Sequence, residues 1–189
     1  MKKVRALIAV LLAMLMLASC APANNDTTDT TDATVPAGDT IVGEPLDLLA
    51  QLVTDAEVPM MCENAELTAE NAEWLVGLTA DDFADVEKAA VSMAMITSQA
   101  HMVALLKCKD EAAAATVKEK LQKQFDIRRW VCVIPELCTV IDSGSYVFFV
   151  ASTVDLGETL LDGFTKLAGE KLGERFDVEG ATGKVEIPA

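Results

Sequence analysis

TVIDSGSYVFFVA, residues 139–151, is the stretch of this sequence that decides the fold. Two runs rich in β-branched and aromatic residues flank the polar segment 142–145, which contains the glycine that a tight turn favours. The stretch therefore predicts a β-hairpin. Asp155 is then expected to cap a helix. Apolar residues recur after it with helical spacing, at Leu156, Leu160, Leu161, Phe164 and Leu167.

The same order of elements occurs once before, as the 44-residue separation between Val103 and Val147 indicates. Residues 89–108 predict two strands joined by a tight connection, and Asp110 is expected to cap a helix that ends near Arg129. We predict an α+β domain with a four-stranded antiparallel sheet and helices packed on one face. Two strand-strand-helix units would form a pseudo-repeat. Two unrelated hairpins, each followed by a helix, are the alternative.

Alternation along the second strand of the later hairpin selects its buried residues. Val147 and Phe149 point the same way, and the helix that follows presents Leu160 and Phe164. If helices cover one face only, these four side chains pack together and Phe148 points away from them.

Apolar periodicity extends from Ile41 to about Leu167 and defines a single domain, residues 41–169. Glu44 and Pro45 begin its first helical pattern, and a second, short helix is expected at 68–74. A domain of about 130 residues buries roughly two thirds of the surface of its unfolded chain, which is enough to fold alone. Residues 170–189 are charged and contain glycine, so they are predicted to form a loosely ordered acidic tail.

The first 20 residues predict export and lipid attachment. Lys2, Lys3 and Arg5 precede an apolar run too short to span a bilayer, so residues 1–19 read as a cleaved signal peptide. Leu-Ala-Ser-Cys at 17–20 forms a lipobox, in which the Cys20 thiol receives fatty-acyl chains such as palmitate. Residues 20–40 would then be the lipidated cysteine and a disordered tether. An ordinary secretory signal that happens to contain a cysteine is the alternative.

The charge of the chain restricts its partners. The formal net charge is −15, and removal of residues 1–19 takes away three positive charges and no negative ones, which leaves −18. Such a field repels nucleic-acid phosphates and anionic lipid headgroups, so nucleic-acid binding is not expected. Membrane attachment must therefore come from the lipid anchor, which would hold the protein at the extracytoplasmic face of the cell membrane.

Several segments of the domain carry a resemblance to a known family. After the lipobox and the Thr/Asp-rich tether they are Trp74-Leu75-Val76-Gly77-Leu78, Ser92-Met93-Ala94-Met95-Ile96 leading through Ala100 to a strand that ends Lys107-Cys108-Lys109-Asp110, and Ser145-Tyr146-Val147. Together they resemble an uncharacterised family of short lipoproteins from Gram-positive (Firmicute-type) anaerobes, which carry a domain of unknown function. The resemblance spans residues 44–168. The resemblance implies a lipoprotein. Because its motifs are apolar, it is silent about catalysis.

Four cysteines remain beyond Cys20, and the family pattern does not include them as a set. An even number in an exported domain permits a disulfide framework, and free buried thiols in a reducing habitat are the alternative. The spacings match neither a thioredoxin-like centre nor a zinc knuckle, so no metal or redox cofactor is predicted. The candidate disulfide cysteines are Cys132 and Cys138, on either side of Pro135, and Cys62 and Cys108, which would have to meet through the fold.

No residue set in the sequence predicts catalysis. His101 is the only histidine and lies among apolar neighbours in a predicted strand, so no chemical step is expected to depend on it. A Gly-x-Ser-x-Gly elbow and a glycine-rich phosphate loop are both missing from the sequence. The acidic run Asp81, Asp82, Asp85 and Glu87 is typical of a solvated face beside a helix start. Core positions are expected for the methionines at 60, 61, 93, 95 and 102.

The sequence thus favours a membrane-tethered, non-enzymatic module that binds an envelope protein, a wall component or a small ligand. The alternative is a hydrolase that acts on wall polymer or peptide through carboxylates, which would require acids that converge in a cleft. A third candidate, a solute-binding lipoprotein for a transporter, is less favoured, because a domain of about 130 residues cannot form the two lobes that such receptors usually close around a ligand.

Overall fold

Residues 41–130 and 132–180 are described by a computed structural model. Its strands are β1 (Cys62–Glu66), β2 (Val86–Ala94), β3 (Met102–Cys108), β4 (Leu137–Ser143), β5 (Tyr146–Ser152) and β6 (Phe176–Asp177). Its helices are α1 (Pro45–Asp55), α2 (Ala72–Val76), α3 (Ala80–Phe83), α4 (Glu111–Gln124) and α5 (Val154–Ala168). In this part of the chain, no helix is both long and apolar enough to cross a membrane. The predicted signal peptide, Cys20 and the tether lie outside the described residues.

The strands form one antiparallel sheet in the order β1-β2-β3-β5-β4-β6. Both predicted hairpins, β2 with β3 and β4 with β5, are confirmed, and the α+β class is confirmed with them. The sheet has six strands rather than the four predicted, because β1 pairs with the outer edge of β2 and β6 pairs with β4. β1 reads Cys-Glu-Asn-Ala-Glu and is mostly exposed, so it carries little of the β-branched signal by which a strand is recognised.

Helices cover both faces of the sheet, which corrects the prediction of a single covered face. On one face α4 packs against Val147 and Phe149. On the other face α5 packs against β5, where Phe148 and Val150 are buried, and α1 packs against β2 and β3. Every residue of β5 is consequently buried. The domain has three layers, with the sheet in the middle.

The four side chains predicted to form one cluster are divided between these two faces. Leu160 and Phe164 lie on the buried side of α5, where the ring of Phe164 stacks on that of Phe148 at a centroid separation of 4.7 Å. Phe149 points the other way, and its ring centroid lies 4.5 Å from that of Phe125. Alternation showed correctly which strand residues share a face, but it carried no information on whether a second helical layer covers the other.

The order strand-strand-helix does occur twice, but the second unit is not a symmetric copy of the first. β3 and β5 run antiparallel at the centre of the sheet. A two-fold axis through their contact, normal to the sheet, would place both following helices on one face. Instead Val117 and Leu121 of α4 and Leu160 of α5 are buried on opposite faces.

The two long helices begin close to where the sequence places them. Asp110 caps α4 as predicted, and its side chain accepts a hydrogen bond of 2.8 Å from the amide of Ala113. α4 ends at Gln124, five residues before the expected end near Arg129. α5 is preceded by Thr153, and Asp155 lies in its first turn instead of capping it.

Residues 170–180 are tied to the domain, in contrast to the loose tail that was predicted. Phe176 and the residue after it pair with β4, and Val178 is 1 % exposed. The buried Lys118 of α4 donates hydrogen bonds to Asp142 of β4 and to the carbonyl of Glu174 at 3.0 Å, and its Nζ lies 4.2 Å from the Phe176 ring centroid. A buried cation therefore joins this segment to α4 and β4. Residues 181–189 lie outside the described part of the chain.

Candidate functional site

His101 lies directly before β3, beside the ends of β2 and β5. We call this end of the strands the His101 end. The opposite end, where β5 begins at Tyr146, is the Tyr146 end. The Nδ1 atom of His101 is 2.9 Å from Oγ of Ser152, and both side chains are 1 % exposed. Ser92 of β2 is fully buried and lies on the same face of the sheet as His101. Along β2 it is two residues from the position that faces His101.

A histidine beside a serine is one arrangement used in nucleophilic catalysis, so burial and charge decide what this pair does. Burial lowers the pKa of His101 to about 4. Its Nε2 atom is buried and has no hydrogen-bond partner among the described residues, so no acid orients the ring. A neutral, unoriented pair that is closed to solvent favours the structural role predicted for His101.

The acidic run around α3 is distributed among separate ion pairs. Asp82 accepts a hydrogen bond of 3.1 Å from the amide of Thr79, and it pairs with Lys120, whose hydrogen bond holds the pKa of Asp82 below its usual value. The other pairs of the run are Asp85 with Lys109 and Glu87 with Lys107. Three of the four acids thus face a lysine of their own instead of another acid, so this run lends no support to a hydrolase, which would need a facing pair of carboxylates.

The four domain cysteines are free thiols in the structure. Cys62 lies opposite Ala94 and Cys108 opposite Val86. These positions are eight residues apart along β2, or roughly 25 Å at the rise of a strand, far beyond the span of a disulfide. Cys62 and Cys108 are therefore not a disulfide pair in this fold.

Burial keeps the thiols of Cys108 and Cys138 protonated. It raises the pKa of Cys108 to about 12, with help from the nearby Asp85, and it also raises the pKa of Cys138. Cys132, by contrast, is exposed, and the structure does not join it to Cys138. In the described part of the chain, no group of three or more histidine, cysteine or acidic side chains is placed to hold a metal ion.

A cleft of about 200 Å³ lies between α1 and α5 on the outside of the helical layer. Gly163 forms part of it, and a side chain there would approach Cδ2 of Leu52 within 2.9 Å, so the absence of a Cβ lets the two helices lie close together. Gln51 and Asp55 hydrogen-bond to each other on its rim. Apolar and polar side chains line it in similar number, and its volume is below the roughly 300–1,000 Å³ of most ligand pockets, which makes this cleft a weaker candidate than the surface described next.

Several exposed apolar side chains lie close together on the face of the sheet that α4 covers. They lie at the His101 end of this face. Beyond the last residues of β2 lies Met95, 60 % exposed, whose amide donates to the carbonyl of Met61, itself 77 % exposed. Met93 shares this face and lies opposite the buried Met102. α4 packs mainly on β3, β5 and β4, and the short α2 belongs to the same buried cluster as Val91 and Met102.

Trp74 and Arg129 complete this surface. Trp74 of α2 is 66 % exposed, and the guanidinium carbon of Arg129 lies 5.3 Å from its ring centroid and 5.6 Å from that of Trp130. Arg129 also contacts Sδ of Met102 at 3.7 Å, which places it beside the methionines. We name the set the tryptophan–methionine surface; its members are Trp74, Arg129, Trp130, Met61, Met93 and Met95.

The local sequence explains how α2 comes to lie beside Arg129. Gly77 ends the helix with φ of +80°, and a Cβ at this position would lie 2.6 Å from the carbonyl oxygen of Gln124. Only glycine permits this conformation and this approach without strain. The close contact holds α2 against the end of α4, so that the carbonyl of Leu75 accepts a hydrogen bond from Nη1 of Arg129.

Comparison of the chain with protein family models, curated proteins and solved structures found no match. The resemblance to short lipoproteins of Gram-positive anaerobes therefore stays a prediction, and the site must be interpreted from its own chemistry.

Sequence reasoning missed this surface for a definite reason. Met61 and Met95 were expected in the core because methionine is apolar, and that interpretation is wrong for both, whereas it is right for Met102. One signal was available in the sequence. The alternation of β2 continues into Met95 and Ile96 immediately before polar residues 97–99, so apolar side chains run on to the end of a hairpin, where solvent is expected.

Proposed function

We propose that this chain is a lipoprotein held by Cys20 at the extracytoplasmic face of the cell membrane, and that its domain is a binding module. The tryptophan–methionine surface is its contact surface. We propose an envelope protein or a wall component as the partner. The observation that carries the proposal is an exposed tryptophan stacked over a half-buried arginine that has no carboxylate partner among the described residues.

The composition of this surface supports binding. Tryptophan, arginine and methionine are enriched in the cores of protein interfaces, and tryptophan and arginine dominate binding energies there. Leaving Trp74 and two methionines in water costs hydrophobic free energy that burial against a partner would recover. Because the sheet and the helices hold the backbone of this surface, the entropy lost on binding is limited mainly to that of its side chains.

The position of the surface also fits a lipid-anchored protein. The chain enters the domain at Ile41, near the Tyr146 end, where the hydroxyl of Tyr146 lies 3.4 Å from the carbonyl of Gly43. The tryptophan–methionine surface lies at the His101 end, which is the opposite end of the strands. A segment of about 20 residues reaches at most roughly 70 Å when extended. Anchored through that segment, the domain can present this surface away from the membrane.

Photo-cross-linking in cells tests the proposal. A photoreactive phenylalanine analogue replaces Trp74 in the full chain, and in a matched control it replaces Val42, an exposed apolar residue (71 %) near the Tyr146 end. We expect a discrete cross-linked product from position 74, absent from position 42 and lost when Arg129→Gln is added. Digestion of the wall before analysis separates a wall component from a protein partner.

Equal products from the two positions, or no product from position 74, would contradict the proposal. Replacement of Cys20 by alanine in the same cells examines the anchor independently. That variant is expected to leave the membrane fraction or to remain unprocessed, and retention there at the normal apparent mass would show that the lipid assignment is wrong.

A further inference from the structure

Arg129 offers one free edge of its guanidinium group. Nη1 is occupied by the carbonyl of Leu75 and by Sδ of Met102. The Nε and Nη2 atoms, which form the opposite edge, make no hydrogen bond or ion pair with any residue that the structure describes. Two parallel N–H groups on such an edge match the two oxygens of a carboxylate.

The free edge is held in place before any ligand arrives. The rings of Trp74, Trp130 and Phe125 have their centroids 5.3 to 6.0 Å from the guanidinium carbon of Arg129. Burial among them lowers the pKa of Arg129, while the nearby Asp126 acts in the opposite direction. A fixed cation that is partly shielded from water interacts with an anion more strongly than a mobile surface lysine does.

The surrounding charges restrict which anion fits. Glu63 lies opposite Met93, Glu73 precedes Trp74, and Asp126 lies three residues before Arg129; all three acids are exposed. Together with a formal net charge of −15 for the chain, they repel polyanions such as phosphate-rich polymers. The same negative charges repel a single carboxylate with apolar neighbours less than they repel a polyanion.

The distances within the site favour a chain terminus over an acidic side chain. In a C-terminal residue the carboxylate and the side chain leave the same Cα, so the two groups lie within a few ångströms of each other. That spacing fits the 5.3 Å between the guanidinium carbon of Arg129 and the Trp74 ring centroid. The carboxylate of an aspartate or glutamate is instead carried away from the apolar side chains of neighbouring residues.

Resting on the proposed function, we infer that the tryptophan–methionine surface binds a peptide that ends in an apolar residue with a free carboxylate. Arg129 binds the carboxylate through its Nε and Nη2 atoms, and the Trp74 ring covers the last side chain. Met61 and Met95 contact the residues before it.

The two tryptophans of the chain provide a direct readout, because both lie against Arg129. Intrinsic fluorescence of the full chain is followed during titration with an acetylated tripeptide of two alanines and a C-terminal leucine. Its C-terminal amide is the first comparison. The second is an acetylated, amidated tripeptide that carries glutamate before the leucine. We expect the free acid to bind at least about tenfold more tightly than either amide, as expected for a charge-assisted pair.

Variants assign the difference to Arg129. Arg129→Gln is expected to remove the preference for the free acid while the variant still unfolds cooperatively, at a melting temperature lowered by the loss of the hydrogen bond to Leu75. Arg128→Gln, at an exposed neighbour, is expected to keep the preference. Equal binding of acid and amide, a glutamate peptide that matches the free acid, or no fluorescence change up to the solubility limit would each overturn the inference. If one of these occurs while cross-linking from position 74 persists, the proposed function stands and only the ligand class is wrong.

Discussion

Phe148→Ala and Phe149→Ala are each expected to lower the free energy of unfolding by about 3–5 kcal/mol. The two residues are adjacent on β5, so their side chains point to opposite faces of the sheet, and both are fully buried. Phe148 stacks on Phe164 beneath α5, with an interplanar angle of 6°, and Phe149 contacts Phe125 beneath α4. Truncation on either face therefore leaves a cavity between the sheet and a helix.

Chemical denaturation of both variants, with Trp74→Ala as a control, measures this effect. Trp74 is aromatic but mostly exposed, and its removal is expected to cost about 1 kcal/mol or less. A sheet covered on one face would produce one large and one small loss at positions 148 and 149. That outcome would contradict the three-layer architecture.

The second large effect is a pH dependence that His101 alone produces. Its pKa in the folded protein is about 4, below the ordinary value of 6.5. Between these two values the unfolded chain binds a proton that the folded protein does not, so stability falls as the pH is lowered through this window. The contribution is intact above pH 6.5, and its full loss near pH 4 amounts to about 3 kcal/mol.

The pH range of the measurement must avoid the isoelectric point, which lies near 4.3. Between pH 7 and pH 5 the His101 contribution is about 2 kcal/mol. Because the chain contains one histidine, comparison of the pH dependence of unfolding in the wild-type protein and in His101→Gln isolates it from the carboxylates. Parallel curves for the two proteins would show that His101 titrates normally and is not buried as described.

The central part of the fold was predictable from the sequence because local patterns encode it. The glycine-containing turn before Tyr146 predicted the hairpin of β4 and β5, and Asp110 predicted the start of α4. The edge strands were not predictable, because β1 is mainly polar and β6 has two residues. Both are positioned by pairing with a neighbour that is distant in sequence.

The number of covered faces depends on information of another kind. A strand such as β5, with continuous apolar residues from Tyr146 to Ala151, is typical of burial on both sides. The continuous run therefore carried the correct signal, but alternation was used to choose one face. The prediction of a loose C-terminal tail was wrong for residues 170–180 partly because of Lys118. A lysine in an amphipathic helix is expected to be exposed to solvent, but Lys118 is buried against Asp142 and Phe176.

The candidate site could not be predicted from the sequence because its residues come from separate segments of the chain. Trp74 and Arg129 are 55 residues apart, and neither belongs to a motif with known chemistry. They meet because Gly77 allows α2 to approach the end of α4, and the carbonyl of Leu75 then fixes the guanidinium group. Local sequence contains the glycine, but only the folded chain shows which backbone atom it approaches.

The central claim is that the tryptophan–methionine surface is covered by a partner in the envelope, and methionine oxidation in intact cells tests it most directly. Washed cells are treated briefly with hydrogen peroxide in the presence of a trace of isotope-labelled, lipid-free chain, which mass spectrometry distinguishes from the resident protein. Buried Met102 should resist oxidation in both and so report an intact fold. The account predicts that Met61 and Met95 oxidise at least about threefold more slowly in the resident protein than in the labelled chain. Equal rates at these two methionines would show that the surface is open in the cell and would contradict the account.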